Sequence, residues 1–174
     1  IRLLDGSDTR EVSISNTSGD FVVSVHGNDN AIHGHIKMFE SGILDINNGG
    51  ASGSNTHRLR ITTGGQVLIG HTASITSYIE GSLQISATNG YASASTTRWS
   101  NNSAPPVFAF GKSRGGIGSY TIVQDDDRLG QINFVGADGT DLASAAAGIA
   151  GYVDGTPGSN DMPGRLVFFT ASDG

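Results

Sequence analysis

The chain of 174 residues reads as an all-β protein. Three observations carry that reading. Apolar residues recur with a period of two, and short polar turns separate the recurrences. The one candidate helical turn, Asp141 to Gly148 with its Ala triplet, runs straight into the alternation of Ile149, Gly151 and Val153 and reads as a turn and a strand. Gly supplies 26 residues, about twice ordinary usage, a load that costs too much backbone entropy for a helical protein and suits one full of turns.

Val12 and Ile14 alternate, and so do Phe21, Val23 and Val25, with Asn16-Thr17-Ser18-Gly19-Asp20 between them. That is a β-hairpin. The unit returns as residues 32–39, a turn Glu40-Ser41-Gly42 and residues 43–46, and again as residues 58–61, a turn Thr62-Thr63-Gly64-Gly65 and residues 66–69. A lone hairpin buries one thin face and is marginal in water, so association with neighbours, from the same chain or from other copies, is expected from the strands alone. Residues 47–56 and 86–103 are polar or small and read as loops and joints.

Residues 1–100 are therefore expected to form a hairpin-rich segment and residues 101–174 a compact antiparallel β module. The boundary falls where Pro105-Pro106 precedes a denser strand pattern at 107–111, 118–123, 130–135, 147–153 and 165–170. Asp138-Gly139, Asp154-Gly155 and Asp173-Gly174 punctuate this part as turns. The missing initiator Met and the ending at Asp173-Gly174 suggest an excerpt of a longer protein.

Composition excludes several function classes. Sixteen acidic residues against ten basic ones, only two of them Lys, give a net charge of -6 and no phosphate-neutralising surface, so nucleic acid is not expected as a partner. With no Cys there is neither a disulfide framework nor a thiolate zinc site, and stability has to come from packing or oligomerisation. No run of 18 apolar residues occurs, so the chain reads as not membrane-embedded.

Two stretches carry a family resemblance. His57-Arg58-Leu59-Arg60-Ile61-Thr62-Thr63-Gly64-Gly65-Gln66-Val67-Leu68-Ile69-Gly70-His71-Thr72 resembles a hairpin of bacteriophage tail fibres and tailspikes, of the kind that end in a cleavable intramolecular chaperone. The second stretch runs from Pro106-Val107 through Lys112-Ser113-Arg114-Gly115, Thr121-Ile122-Val123-Gln124, Leu129-Gly130-Gln131-Ile132 and Gly136-Ala137-Asp138-Gly139-Thr140-Asp141. It closes with Val153-Asp154-Gly155-Thr156-Pro157-Gly158 and Asp161-Met162-Pro163-Gly164-Arg165-Leu166-Val167-Phe168, and it resembles the module that precedes that chaperone. Leu68 stands where the family often has Gly, and His71 interrupts the usual Gly-Thr ending. The chaperone and its Ser-Lys dyad are not in this sequence, so self-cleavage is assigned to no residue here.

The resemblance implies successive hairpins forming a fibre stalk or shoulder, then the β module, assembled as an elongated homotrimer about a common axis. It implies a place in the virion tail fibre, contact with other phage tail proteins, and adhesion to a host glycan or outer-membrane receptor; that no catalysis is expected rests on the spacing and context of the candidate constellations. Three-fold symmetry would let the open sheet edges of one copy be covered by the next.

His33-Gly34-His35 puts two imidazoles on one face of a strand, because i and i+2 share a side. Fibres of this class use such pairs for an iron or other divalent metal on the trimer axis, so the resemblance offers His33 and His35 as metal ligands, although no cofactor is required. The competing reading puts Ile32, Ile36 and Met38 on the opposite, core face and both imidazoles in solvent.

Asp125-Asp126-Asp127 offers carboxylates for a cation or for glycoside hydrolysis, which needs two of them roughly 5–9 Å apart; a solvated turn is the simpler reading. Residues 136–141 look like a calcium loop but lack the oxygen spacing and the closing Glu. No Gly-x-Ser-x-Gly elbow precedes a helix, and no helix follows Gly115-Gly116-Ile117-Gly118 to bind a phosphate. The amphipathic aromatics Tyr78, Tyr91, Trp99 and Tyr120 could stack on sugar rings. Tyr91 and Trp99 are the candidate glycan contacts, against a reading in which Trp99 plugs the top of the C-terminal sheet. The functional expectation is a fibre segment that adheres to the host. The alternatives are a purely structural virion adaptor or decoration protein and a polysaccharide-degrading tailspike.

Overall fold

The computed structural model describes residues 2–4, 11–26, 32–49 and 55–173. The described chain is all-β, with no helix among the described residues, and it separates into two compact units. The first comprises residues 1–75 and 80–93, the second residues 76–79 and 94–174.

The first unit is built on an eight-stranded sheet. Strands β1 (Arg2–Leu4), β2 (Glu11–Thr17), β3 (Asp20–His26), β4 (Ile32–Met38), β5 (Leu44–Gly49), β6 (Asn55–Ile61) and β7 (Val67–Ile69) follow one another as an antiparallel meander. After the short strands β8 (Thr76–Ser77) and β9 (Ile79–Glu80), β10 (Leu83–Ile85) returns parallel to β7. The three expected hairpins are thus joined edge to edge, β3 pairing with β4 and β5 with β6, so each supplies in-plane neighbours to the next.

Turn chemistry explains the register. Ser18 and Gly19 both have positive φ, 54° and 90°, the pattern of a two-residue turn whose twist matches the flanking strands, and Thr17 accordingly faces Asp20. The next two turns share one geometry. Phe39 N donates to Ile43 O at 2.8 Å and Thr62 N donates to Gln66 O at 2.9 Å, with Gly42 and Gly65 taking the left-handed position. Gly70 is held for another reason: at φ +82° a Cβ there would lie 2.2 Å from Ser86 O on the returning strand.

The polar stretch expected as a loop at 47–56 is in part strand. Asn48 faces Gly34 in the ladder and Gly49 faces Asn55, while residues 50–54 lie outside the described residues. Asn and Gly resist strands as isolated residues, but here the neighbouring ladders on both sides override propensity.

The second unit carries a three-stranded antiparallel sheet of β11 (Arg128–Val135), β12 (Ala145–Val153) and β13 (Gly164–Thr170). The expected strands at 107–111 and 118–123 do not form. Residues 91–124 have no ladder in this chain, because period-two alternation makes a strand only where a neighbouring edge accepts its backbone. Val123 is nevertheless buried, and Phe110 packs on the sheet where Gly130 leaves room for it.

Candidate functional site

The ladders of the first unit sort its side chains into two faces. Ile14, Val23, Ile36, Ile46, Leu59, Ile69 and Ile85 lie in one cross-strand row, and Phe21, Met38, Leu44, Ile61, Val67 and Leu83 in another on the same side. That side is apolar, yet it stands open: Met38 is 50% exposed, and Ile36, Ile46, Ile69 and Leu83 are exposed as well. The opposite side holds Ser24, Asp45, Asn47 and Leu68, all buried. Arg60 and Gln84 are the cross-strand neighbours of Leu68, and both tie the following segment to this side: Arg60 donates to Thr72 O at 2.8 Å, and the Gln84 amide bonds Ile75 N and O at 2.9 and 2.8 Å.

A cleft of about 540 Å³ opens on the polar side, lined by side chains of β2 to β6. Arg60 grips the buried carboxylate of Asp45 with two bonds of 2.6 Å, and that bond raises the guanidinium pKa above its ordinary value. Asn47 Nδ2 donates to His35 Nε2 at 2.7 Å, so the imidazole uses that nitrogen as an acceptor. His26 Nε2 and Ser13 Oγ lie 3.2 Å apart. At the rim Lys37 pairs with Asp20 at 2.8 Å and sits 4.2 Å over the Phe39 ring; with the Lys37 bond first and Glu40 N second, the Asp20 carboxyl is held below its ordinary pKa.

The second unit repeats an apolar face that is only partly covered. Ile132, Phe134, Leu166 and Phe168 fall on one side of its sheet, Phe168 70% exposed, while Phe110, stacked edge to face on Phe108 with centroids 5.1 Å apart, lies over Gly130 on that side. On the other side Gly148 lets Phe169 lie across it, since a Cβ would meet the ring at 2.3 Å. Tyr152 takes a cation on each flank, Arg128 at 5.2 Å and Arg165 at 5.1 Å from its centroid.

The Asp triplet is a turn, as the simpler reading had it, but a tied one. Asp125 Oδ1 accepts Gly155 N at 2.6 Å, Asp126 pairs with Arg165 at 2.5 Å, and Asp127 receives Arg114 in a fork of 2.7 and 2.8 Å with Lys112 at 3.2 Å. Arg114 first, then Gln124 N, holds the Asp127 carboxyl far below the usual range. At 136–141, Asp138 Oδ1 accepts the backbone N–H groups of Thr140 and Asp141, a local turn in which those donors lower the Asp138 pKa.

His33 and His35 do not share one run of alternation. Val25 faces Gly34 and the next pair is His26 with Ile32, so His33 is the extra residue of a β-bulge. Ile32 and His35 consequently line the same cleft, where Ile32 was expected opposite, and His33 does not line it. Among the described residues of one chain no three metal-ligating side chains cluster, so an axial site would draw imidazoles from other copies. Trp99 is 92% exposed and plugs no sheet; Tyr91 is 95% exposed. Tyr91 belongs to the first unit and Trp99 to the second.

Sequence reasoning missed the cleft. Its signal was legible in Asp45 and Asn47 alternating on one strand and Arg60 on the next, where Asp45 faces Arg60 as a cross-strand charge match. Comparison with protein-family models, with curated proteins and with solved structures returned no match to this chain.

Proposed function

We propose that this chain is a segment of a bacteriophage tail fibre that assembles as a homotrimer and fastens the virion to a host glycan or outer-membrane receptor, by binding and without a reaction. The observation that carries the reading is the pair of exposed apolar faces. On these sheets Met38 is 50% and Phe168 70% exposed, and contiguous apolar rows of this kind mark surfaces that another copy covers. The hairpin at 57–72 and the stretch at 106–168 supply the family half of the argument. Other phage tail proteins are the remaining expected partners.

The test is adhesion. The purified, fluorescently labelled oligomer is mixed with a panel of bacterial strains, and its capacity to block adsorption of phages to those strains is measured. Saturable binding to susceptible strains, with blocking, is the expected outcome. Binding to none would favour the structural adaptor, and release of reducing sugar from surface polysaccharide would favour the tailspike.

A further inference from the structure

The polar side of the hairpin sheet contains a buried group that the described fold does not serve. Asn47 is 6% exposed and lines the cleft; its Nδ2 is engaged by His35, while its Oδ1 is buried without a hydrogen-bond partner among the described residues. Buried acceptors in folded proteins are nearly always paired, so an unpaired one on the wall of a cleft is a place where a ligand hydroxyl would gain a bond.

The rest of the lining says what kind of ligand. Both cations at the cleft are already matched, Lys37 by Asp20 at 2.8 Å and Arg60 by Asp45 at 2.6 Å, so no positive charge waits for an anion. Ser13 and Ser24 add hydroxyls, and Val22 and Ile32 add apolar wall. A hydroxyl both donates and accepts, so it can serve either end of an amide as well as a serine. A cleft of about 540 Å³ falls in the size range of small-ligand sites, which combine apolar walls with a few placed polar groups.

We infer that this cleft binds a neutral vicinal diol presented on a hexopyranose ring, with one hydroxyl donating to Asn47 Oδ1 and its neighbour reaching Ser24. The inference deepens the adhesion reading, on which it rests for the source of the sugar, and it moves the glycan contact from the exposed aromatics to the sheet.

Saturation-transfer NMR on the intact oligomer tests it, with methyl glucoside, methyl mannoside and methyl galactoside as probes, glycerol as the small-polyol arm and glucuronate as the charged arm. Saturable binding of at least one neutral hexoside is expected. Asn47→Leu should weaken it at least tenfold, and because it also removes the 2.7 Å bond to His35 it should lower the thermal midpoint. Ser24→Ala should weaken it several-fold and stands as the second variant should the first fail to fold. No saturable binding of any hexoside, equal binding of glycerol, preference for glucuronate, or binding that both variants leave intact would each overturn the inference. Whole-cell adhesion by an oligomer that binds no hexoside would overturn the cleft and leave the adhesion reading standing.

Discussion

Asp45 is 1% exposed and takes two bonds from Arg60. Removing the guanidinium takes away the bidentate partner of a buried carboxylate, whereas removing both members exchanges a desolvated pair for apolar surface. Arg60→Leu is therefore expected to cost about 3 kcal/mol in chemical denaturation, at the low end for a buried pair because Lys37 faces Asp45 across the ladder. The double variant Asp45→Leu with Arg60→Leu should lose clearly less than Arg60→Leu alone. Additive losses would show that the two residues act separately and that the pair does not organise the cleft.

At the scale of elements, the extended stretch before β11 is fastened by Asp127, which Lys112, Arg114 and Gln124 N all contact. Its folded pKa lies below the unfolded value of about 3.9, so the stabilisation it confers is fully present above that pH and is lost as pH falls towards the depressed value. The stability difference between the native chain and Asp127→Asn should thus be constant above about pH 5 and shrink below pH 4. A difference that does not vary over that range, followed by denaturation at each pH, would show the fork contributes nothing.

The same stretch shows what the sequence could and could not tell. The hairpins were legible because Ser18-Gly19, Gly42 and Gly65 fix the turns and alternation fixes the strands. Val107 to Phe110 is an apolar run that reads as a strand and forms no ladder, because pairing depends on an edge that the residues themselves do not encode. The His33 bulge and the open Asn47 amide likewise arise from register between strands, and register is a property of pairs.

For the whole molecule, the apolar sides of both sheets are too extensive to face water as isolated residues do. If second and third copies cover them, a charge placed on either side should break the assembly without unfolding the chain, since Ile36 and Phe168 are already exposed within one copy. Burying one such side chain is worth about 2 kcal/mol, and three equivalents in a closed trimer give about 6 kcal/mol, on the order of 10⁴ in the trimer association constant. Analytical ultracentrifugation should find the native chain at three times 17.9 kDa at micromolar concentration. Ile36→Glu or Phe168→Glu should shift the population to smaller species with an unchanged far-ultraviolet spectrum, and Thr63→Glu, in an exposed turn, should leave it unaltered. A native chain that sediments at 17.9 kDa would defeat the trimer, and variants that stay trimeric would place the interface elsewhere than on these two faces.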